Sequence, residues 1–169
     1  MTFQVGEKVV YPNHGVATIE NISQRSFGPR FERFYLLRLS CNNMTVMVPF
    51  SHVDEVGLRK VTKNSEIARV LCFLATGKCK SNADWKNRFK ENSERMRNGS
   101  MLEIAEVFKA LLLIQSEKTL SFREKKMLDR ARQMMMTEVC ISRGLREPDA
   151  IVLLDSILAK ANLKMPEAL

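Results

Sequence analysis

The sequence predicts an α+β chain of two domains: a small antiparallel β-barrel over residues 1–61, then a compact bundle of about five α-helices over 62–169. Three observations carry that division. Residues 1–60 hold four of the seven glycines, three of the five prolines and seven of the twelve aromatic residues, the composition of short strands joined by tight turns. From residue 64 onward, apolar side chains recur with the helical period of about 3.6, and serine caps stand at the boundaries. The charge is uneven too. The net charge is +8, of which +2 falls in residues 1–60 and +6 in 61–169. Two windows, 78–97 and 120–132, carry +7 between them and leave the rest of the second half slightly acidic.

The strands follow in order. Lys8-Val-Val-Tyr-Pro12 ends in a Pro-Asn-His-Gly turn, where Gly15 supplies a positive φ. Residues 16–22 form the second strand, Gly28-Pro29 a turn, and 33–39 the third strand. Cys41-Asn-Asn43 turns into a fourth strand at 44–49, and 56–61 closes the set. Five short strands in ~60 residues make a small but viable barrel. In the fourth strand, alternation puts Met44, Val46 and Val48 on one side and Thr45 and Met47 on the other. With the first set toward the core, Met47 stays outside, either as an ordinary exposed residue or on a strand that docks a partner.

The first helix is expected over 65–76, with Ile67, Val70, Leu71 and Leu74 on one face and Gly77 ending it. The second starts near Asn82 and ends near Asn98-Gly99. Ser100-Met-Leu-Glu103 and Ser121-Phe-Arg-Glu124 are capping boxes that open the third and fourth helices, each cap worth around 1 kcal/mol. The fourth helix runs to about Arg143-Gly144, and Pro148 suits the first turn of a fifth over 149–161. Apolar stripes for mutual packing are Ile104, Val107, Phe108 and Leu111; Leu128, Ala131 and Met135; and Ile151, Leu154, Ile157 and Leu158. Met134-Met-Met136 fills core gaps.

Several function classes are excluded or disfavoured. No phosphate-binding glycine loop, dinucleotide turn or nucleophile elbow is present, so no catalytic residue is expected. Asp54-Glu55 reads as solvated charge and His14 as a turn residue. Cys41, Cys72, Cys79 and Cys140 form no C-x-x-C pair, and with only His14 and His52 they give no zinc spacing. Free thiols are expected, with Cys72 and Cys140 packed as small apolar side chains, and neither metal nor cofactor. The apolar run Ala110-Leu-Leu-Leu-Ile114 is far short of a membrane span, and the first residues lack a secretory pattern, so a cytoplasmic protein is expected.

The one tryptophan, Trp85, heads the basic segment Asn82-Ala-Asp-Trp-Lys-Asn-Arg-Phe-Lys90. An indole among Lys86, Arg88 and Lys90 suits a nucleic-acid surface, where cations neutralise phosphates and a ring wedges between bases. Its spacing to Phe89 fits a buried face equally well. The stripe Trp85, Phe89, Asn92, Met96 is interrupted by Asn92, which makes full burial less comfortable.

Val5-Gly-Glu-Lys-Val-Val-Tyr-Pro-Asn-His-Gly15, Tyr35-Leu-Leu-Arg-Leu39, Val48-Pro49 and Val56-Gly-Leu-Arg59 together resemble the CarD/CdnL family of bacterial transcription regulators. Trp85-Lys-Asn-Arg-Phe-Lys90, Glu106-Val and Leu120-Ser-Phe-Arg-Glu-Lys-Lys-Met-Leu-Asp-Arg-Ala-Arg132 extend the resemblance from about residue 3 to about 161. The first block is shared with the polymerase-binding module of transcription-repair coupling factors; the helical half makes the match specific.

The resemblance implies a Tudor-like barrel that binds the RNA polymerase β subunit. It also implies a helical domain that reaches promoter DNA at the upstream edge of the bubble, where Trp85 wedges into the minor groove and stabilises the open complex. It assigns Trp85, Lys86, Arg88, Lys90, Phe122, Lys125 and Lys126 to DNA, and Arg25, Val46 and Met47 to polymerase. Met47 stands where some relatives have a second arginine and others a methionine. Asn87 stands where relatives often have arginine, with Lys86 beside it as a partial substitute. The expected protein is a monomer that binds DNA largely without sequence preference. Two other readings remain: a polymerase-independent architectural DNA binder, and an adapter whose basic patches meet acidic proteins.

Overall fold

A computed structural model describes residues 2–79 and 84–169, without the side chains of Phe27 and Trp85, and divides into two units, Met1–Val61 and Thr62–Leu169.

The first unit is a five-stranded antiparallel sheet: β1 (Lys8–Tyr11), β2 (Gly15–Phe27), β3 (Arg30–Leu39), β4 (Thr45–Pro49) and β5 (Arg59–Lys60), in the order β4-β3-β2-β1-β5. β4 and β5 are therefore its edges. Alternation on β3 sends Tyr35, Leu37 and Leu39 into the core, where they meet Val9, Ala17, Ile19 and Val48. Tyr35 centres that core. Phe50 stacks on its ring at 4.2 Å between centroids, and its hydroxyl accepts the Phe3 backbone N–H at 3.0 Å.

One extra residue, Glu20, interrupts the β2–β3 ladder: Ile19 pairs with Leu37, but Asn21 pairs with Leu36. Such a bulge changes which residues face inward beyond it. Glu20 accepts a charge-assisted bond from Arg38, which holds the guanidinium pKa above its ordinary value.

Two expectations need correction here. The β2–β3 hairpin is longer than 16–22 and 33–39 implied; it continues as a two-stranded ribbon to its turn at Gly28, whose φ is +62°. The fifth strand, expected over 56–61, shrinks to two residues. A 3-10 turn (Phe50–His52) and one helical turn, α1 (Val53–Val56), come before it, because Val53 turns into the core and Gly57 ends the turn at φ +77°.

The second unit contains α2 (Asn64–Thr76), α3 (Trp85–Asn98), α4 (Met101–Glu117), α5 (Phe122–Arg143) and α6 (Glu147–Ala159). Ser100 and Ser121 are the N-caps of α4 and α5, as their boxes require: each hydroxyl accepts the backbone N–H of the glutamate three residues on, at 3.2 Å. α4 is the most enclosed element, with Ile104, Val107, Phe108 and Leu111 buried among Ile67, Leu74, Leu128, Met135, Leu154 and Leu158. Each such side chain contributes roughly 1.5–3 kcal/mol on burial. Met134, Met135 and Met136 are all in this core. Cys72, by contrast, is exposed on the outer face of α2, and Cys140 is only half-buried.

Buried charge is spent on helix ends. Lys109, 3% exposed, reaches from α4 to the C-terminal end of α2 and donates to the carbonyls of Phe73 (2.9 Å) and Gly77 (2.6 Å). A cation there gives the Gly77 carbonyl a donor, adds a second donor to the Phe73 carbonyl that already accepts the Gly77 N–H, and complements the helix dipole. Gly77 leaves no room for more: a Cβ would lie 2.6 Å from the Phe73 carbonyl oxygen. Glu138 of α5 accepts the Thr62 N–H at 2.9 Å, and Ser142 donates to the Thr62 carbonyl at 2.6 Å. Arg132 holds the Pro166 carbonyl at 3.0 Å, fastening the segment after α6.

Candidate nucleic-acid interface

Asp84 opens α3. Its carboxylate accepts the Lys86 N–H at 3.2 Å and the Asn87 side-chain amide at 3.1 Å. Trp85 is thus the first helical residue, while its indole, the centre of the sequence reading, lies outside the described residues. Lys86, Asn87 and Lys90 are exposed.

Arg88 is different, and the sequence reading of it as a DNA contact is corrected. It is 6% exposed and its guanidinium forks onto Glu124, with Nε to Oε2 at 3.1 Å and Nη2 to Oε1 at 3.3 Å. Only two of its five N–H donors are used, but a cation buried against its carboxylate would have to leave that ion pair to reach a phosphate outside. Among the described side chains of α3, Arg88, Asn92 and Met96 are buried and Phe89 is half-buried.

Glu124 belongs to the first turn of α5, so this pair joins the two basic segments the sequence showed separately. Around it Phe122 is 70% exposed, with Lys126 Nζ 4.7 Å from its ring centroid. Arg123 is exposed and lies 6.0 Å over the ring of Phe89, a second tie between α3 and α5. Lys125 is half-buried. The result is a basic region at the joined N-terminal turns of α3 and α5, where Lys86, Lys90, Phe122, Arg123 and Lys126 are exposed. That surface suits a polyanion. Sequence reasoning missed Arg123 and saw Glu124 only as a cap; an acid whose partner lies 36 residues away leaves no local signal.

In the sheet unit the second candidate set divides. β4 pairs only with β3 and offers an open edge. Met47 pairs with Leu36 and Val46 with Leu37, so Met47 faces away from the core while Val46 packs against it. Val46 is half-buried, its side chain packed against the core and its backbone on the edge strand. Arg25 is exposed on the β2–β3 ribbon opposite Glu32, and by register it shares the outer face with Met47.

Other chemistry is sparse. His14 is exposed at its turn, with Nδ1 3.1 Å from the Pro12 carbonyl oxygen. Burial pushes the Cys79 thiol pKa up, although Lys109 opposes it, and burial followed by Glu147 raises that of Cys140. Among the described residues no cluster of His, Cys, Asp and Glu could hold a metal ion, and no helix is long and apolar enough to cross a membrane.

Comparison with known proteins bears on both units. The family described as CarD-like/TRCF RID domain matches residues 3–62, and the one described as CarD, C-terminal domain, matches 69–155. YdeB, a candidate transcription factor of Bacillus subtilis (strain 168), is 34% identical over 145 residues, covering 86% of this chain and 95% of that protein.

Proposed function

The chain belongs to the CarD-like family of transcription factors, and from that premise we propose that it is a cytoplasmic, non-enzymatic regulator that docks on the RNA polymerase β subunit and stabilises the promoter open complex. The observation that carries the reading is the union of two basic helix ends beside Trp85 into one surface, tied by Arg88 and Glu124.

In this reading Lys86, Lys90, Arg123 and Lys126 neutralise phosphates and give modest, salt-sensitive, sequence-independent affinity. Trp85 wedges into the minor groove at the upstream edge of the bubble. Unstacking a base step costs a few kcal/mol, so a wedge is most favourable where the strands have already begun to part. Phe122 adds an apolar contact beside it. The sheet unit supplies the anchor: the open β4 edge, Met47 and Arg25 meet the polymerase β subunit. Tethering raises the local concentration at the junction, so weak DNA affinity suffices.

The test is the lifetime of open complexes formed with the full chain. Trp85→Ala should retain polymerase binding but shorten the lifetime about tenfold, equivalent to ~1.4 kcal/mol. Arg25→Glu should instead lose polymerase and keep duplex affinity. An unchanged lifetime with Trp85→Ala would refute the wedge, and DNA binding that stabilises promoters equally without polymerase contact would favour a simple architectural protein.

A further inference from the structure

We propose that Arg88 and Glu124 are a positioning pair whose task is to aim the exposed cations and rings of α3 and α5 at a single phosphate track. The proposal rests on the reading that the helical unit meets duplex DNA.

The geometry points that way because of where the pair sits in each helix. Successive helical residues are about 100° apart, so residues two positions away project to the opposite side. Arg88 lies two residues after Lys86 and two before Lys90; Glu124 lies two after Phe122 and two before Lys126. Pinning Arg88 and Glu124 inward, at 8% and 5% side-chain exposure, forces those four side chains outward. The two-pronged geometry of the contact, Nε to Oε2 and Nη2 to Oε1, also fixes the rotation of one helix end against the other.

Stability alone is a poor explanation for such a pair. Taking two charges out of water offsets most of their attraction, and apolar replacements of similar volume are often as stable. What an apolar contact lacks is the directional fork. Glu124 is fixed independently by its capping box, in which Ser121 Oγ lies 3.3 Å from Oε1, so Arg88 docks on a carboxylate that is already placed. The stacking of Arg123 over Phe89 lies on the same seam.

The positioning role and a direct DNA contact predict opposite signs for one substitution. Glu124→Gln keeps the shape and the capping box, since glutamine serves in it as well as glutamate, and makes the protein one charge more positive. If these side chains mattered to DNA only through charge, Glu124→Gln would bind duplex more tightly. In the positioning role it binds five- to tenfold more weakly. The probe is a labelled 20-base-pair duplex titrated with the full chain at several salt concentrations. Expected are comparable losses for Glu124→Gln and Arg88→Gln, no further loss in the double variant, and a shallower salt dependence in all three because misaimed lysines neutralise fewer phosphates. A smaller folded fraction would lower apparent affinity without changing that slope.

Equal or tighter binding by a folded Glu124→Gln overturns the proposal. Should that variant be unfolded by circular dichroism, Arg88→Lys decides: it conserves charge but loses the fork, so weakened binding supports the positioning role and unchanged binding overturns it. Failure of the unmodified chain to bind duplex with any salt dependence would instead defeat the DNA reading itself, and the pair's role with it.

Discussion

The sheet unit and the helical unit bury polarity in opposite ways. Among the described residues, all six buried polar or charged side chains of that class, Arg88, Asn92, Lys109, Glu124, Arg132 and Glu138, lie in the helical unit. In the sheet unit the core is aliphatic and aromatic, with the Tyr35 hydroxyl its main polar point. The physical cause is where backbone groups are satisfied. Strand ladders pair their own N–H and C=O groups along their length, whereas every helix leaves orphans at both ends. Lys109 serves the carbonyls at the end of α2, Glu138 the N–H ahead of it and Arg132 the chain beyond α6, while Arg88 and Glu124 answer each other. The sheet unit is therefore held chiefly by shape, and the helical unit by shape plus a set of directed latches.

Three perturbations sharpen or break this contrast. The largest effect is expected from Leu37→Ala, which removes a fully buried side chain from the sheet core and should cost about 3.5 kcal/mol. Followed by thermal unfolding with amide hydrogen exchange, the loss should be confined to residues before 62; equal loss of protection in α4 would contradict the independence of the two cores. Next comes Lys109→Met. Volume is nearly kept, but the Gly77 carbonyl loses its lysine donor while the Phe73 carbonyl keeps only the Gly77 N–H, so roughly 1–3 kcal/mol should go from the helical unit. A cost below about 0.5 kcal/mol in urea denaturation would mean that the latch does not matter.

The smallest effect is chemical. Because burial raises the thiol pKa of Cys79 and Cys140, less of each is thiolate at pH 8, and their alkylation by iodoacetamide should lag that of the exposed Cys41 and Cys72. Their pH–rate profiles should be displaced upward, a difference that peptide mapping reads directly and that disappears in urea.

Legibility followed the same divide. The starts of α4 and α5 could be placed to the residue because a capping box is a local device, complete within four positions. The β2–β3 ribbon was underestimated because Gln24-Arg-Ser26 is exposed on both faces and the segment from Ser23 carries no apolar alternation. α1 was missed because one turn of helix has no period to detect. In the candidate site, the exposed positions of Lys86, Lys90 and Phe122 agree with their basic or amphipathic surroundings, but Arg88 among three neighbouring cations reads as one more surface charge. Its burial is a tertiary fact, set by an acid on a different helix.

The extra residue at Glu20 carries a consequence for insertions and deletions. Upstream of it Ala17 and Ile19 oppose Leu39 and Leu37; downstream, Ile22 and Gln24 oppose Tyr35 and Arg33. Excising that single position would restore an unbroken ladder with every pairing kept, Asn21 still opposite Leu36 and Ile22 still opposite Tyr35, so inside and outside stay as they are along the hairpin arm. A frame-preserving loss of one codon there should accordingly be tolerated better than the same loss within the paired stretch, where it slips the register and exchanges inside for outside beyond it.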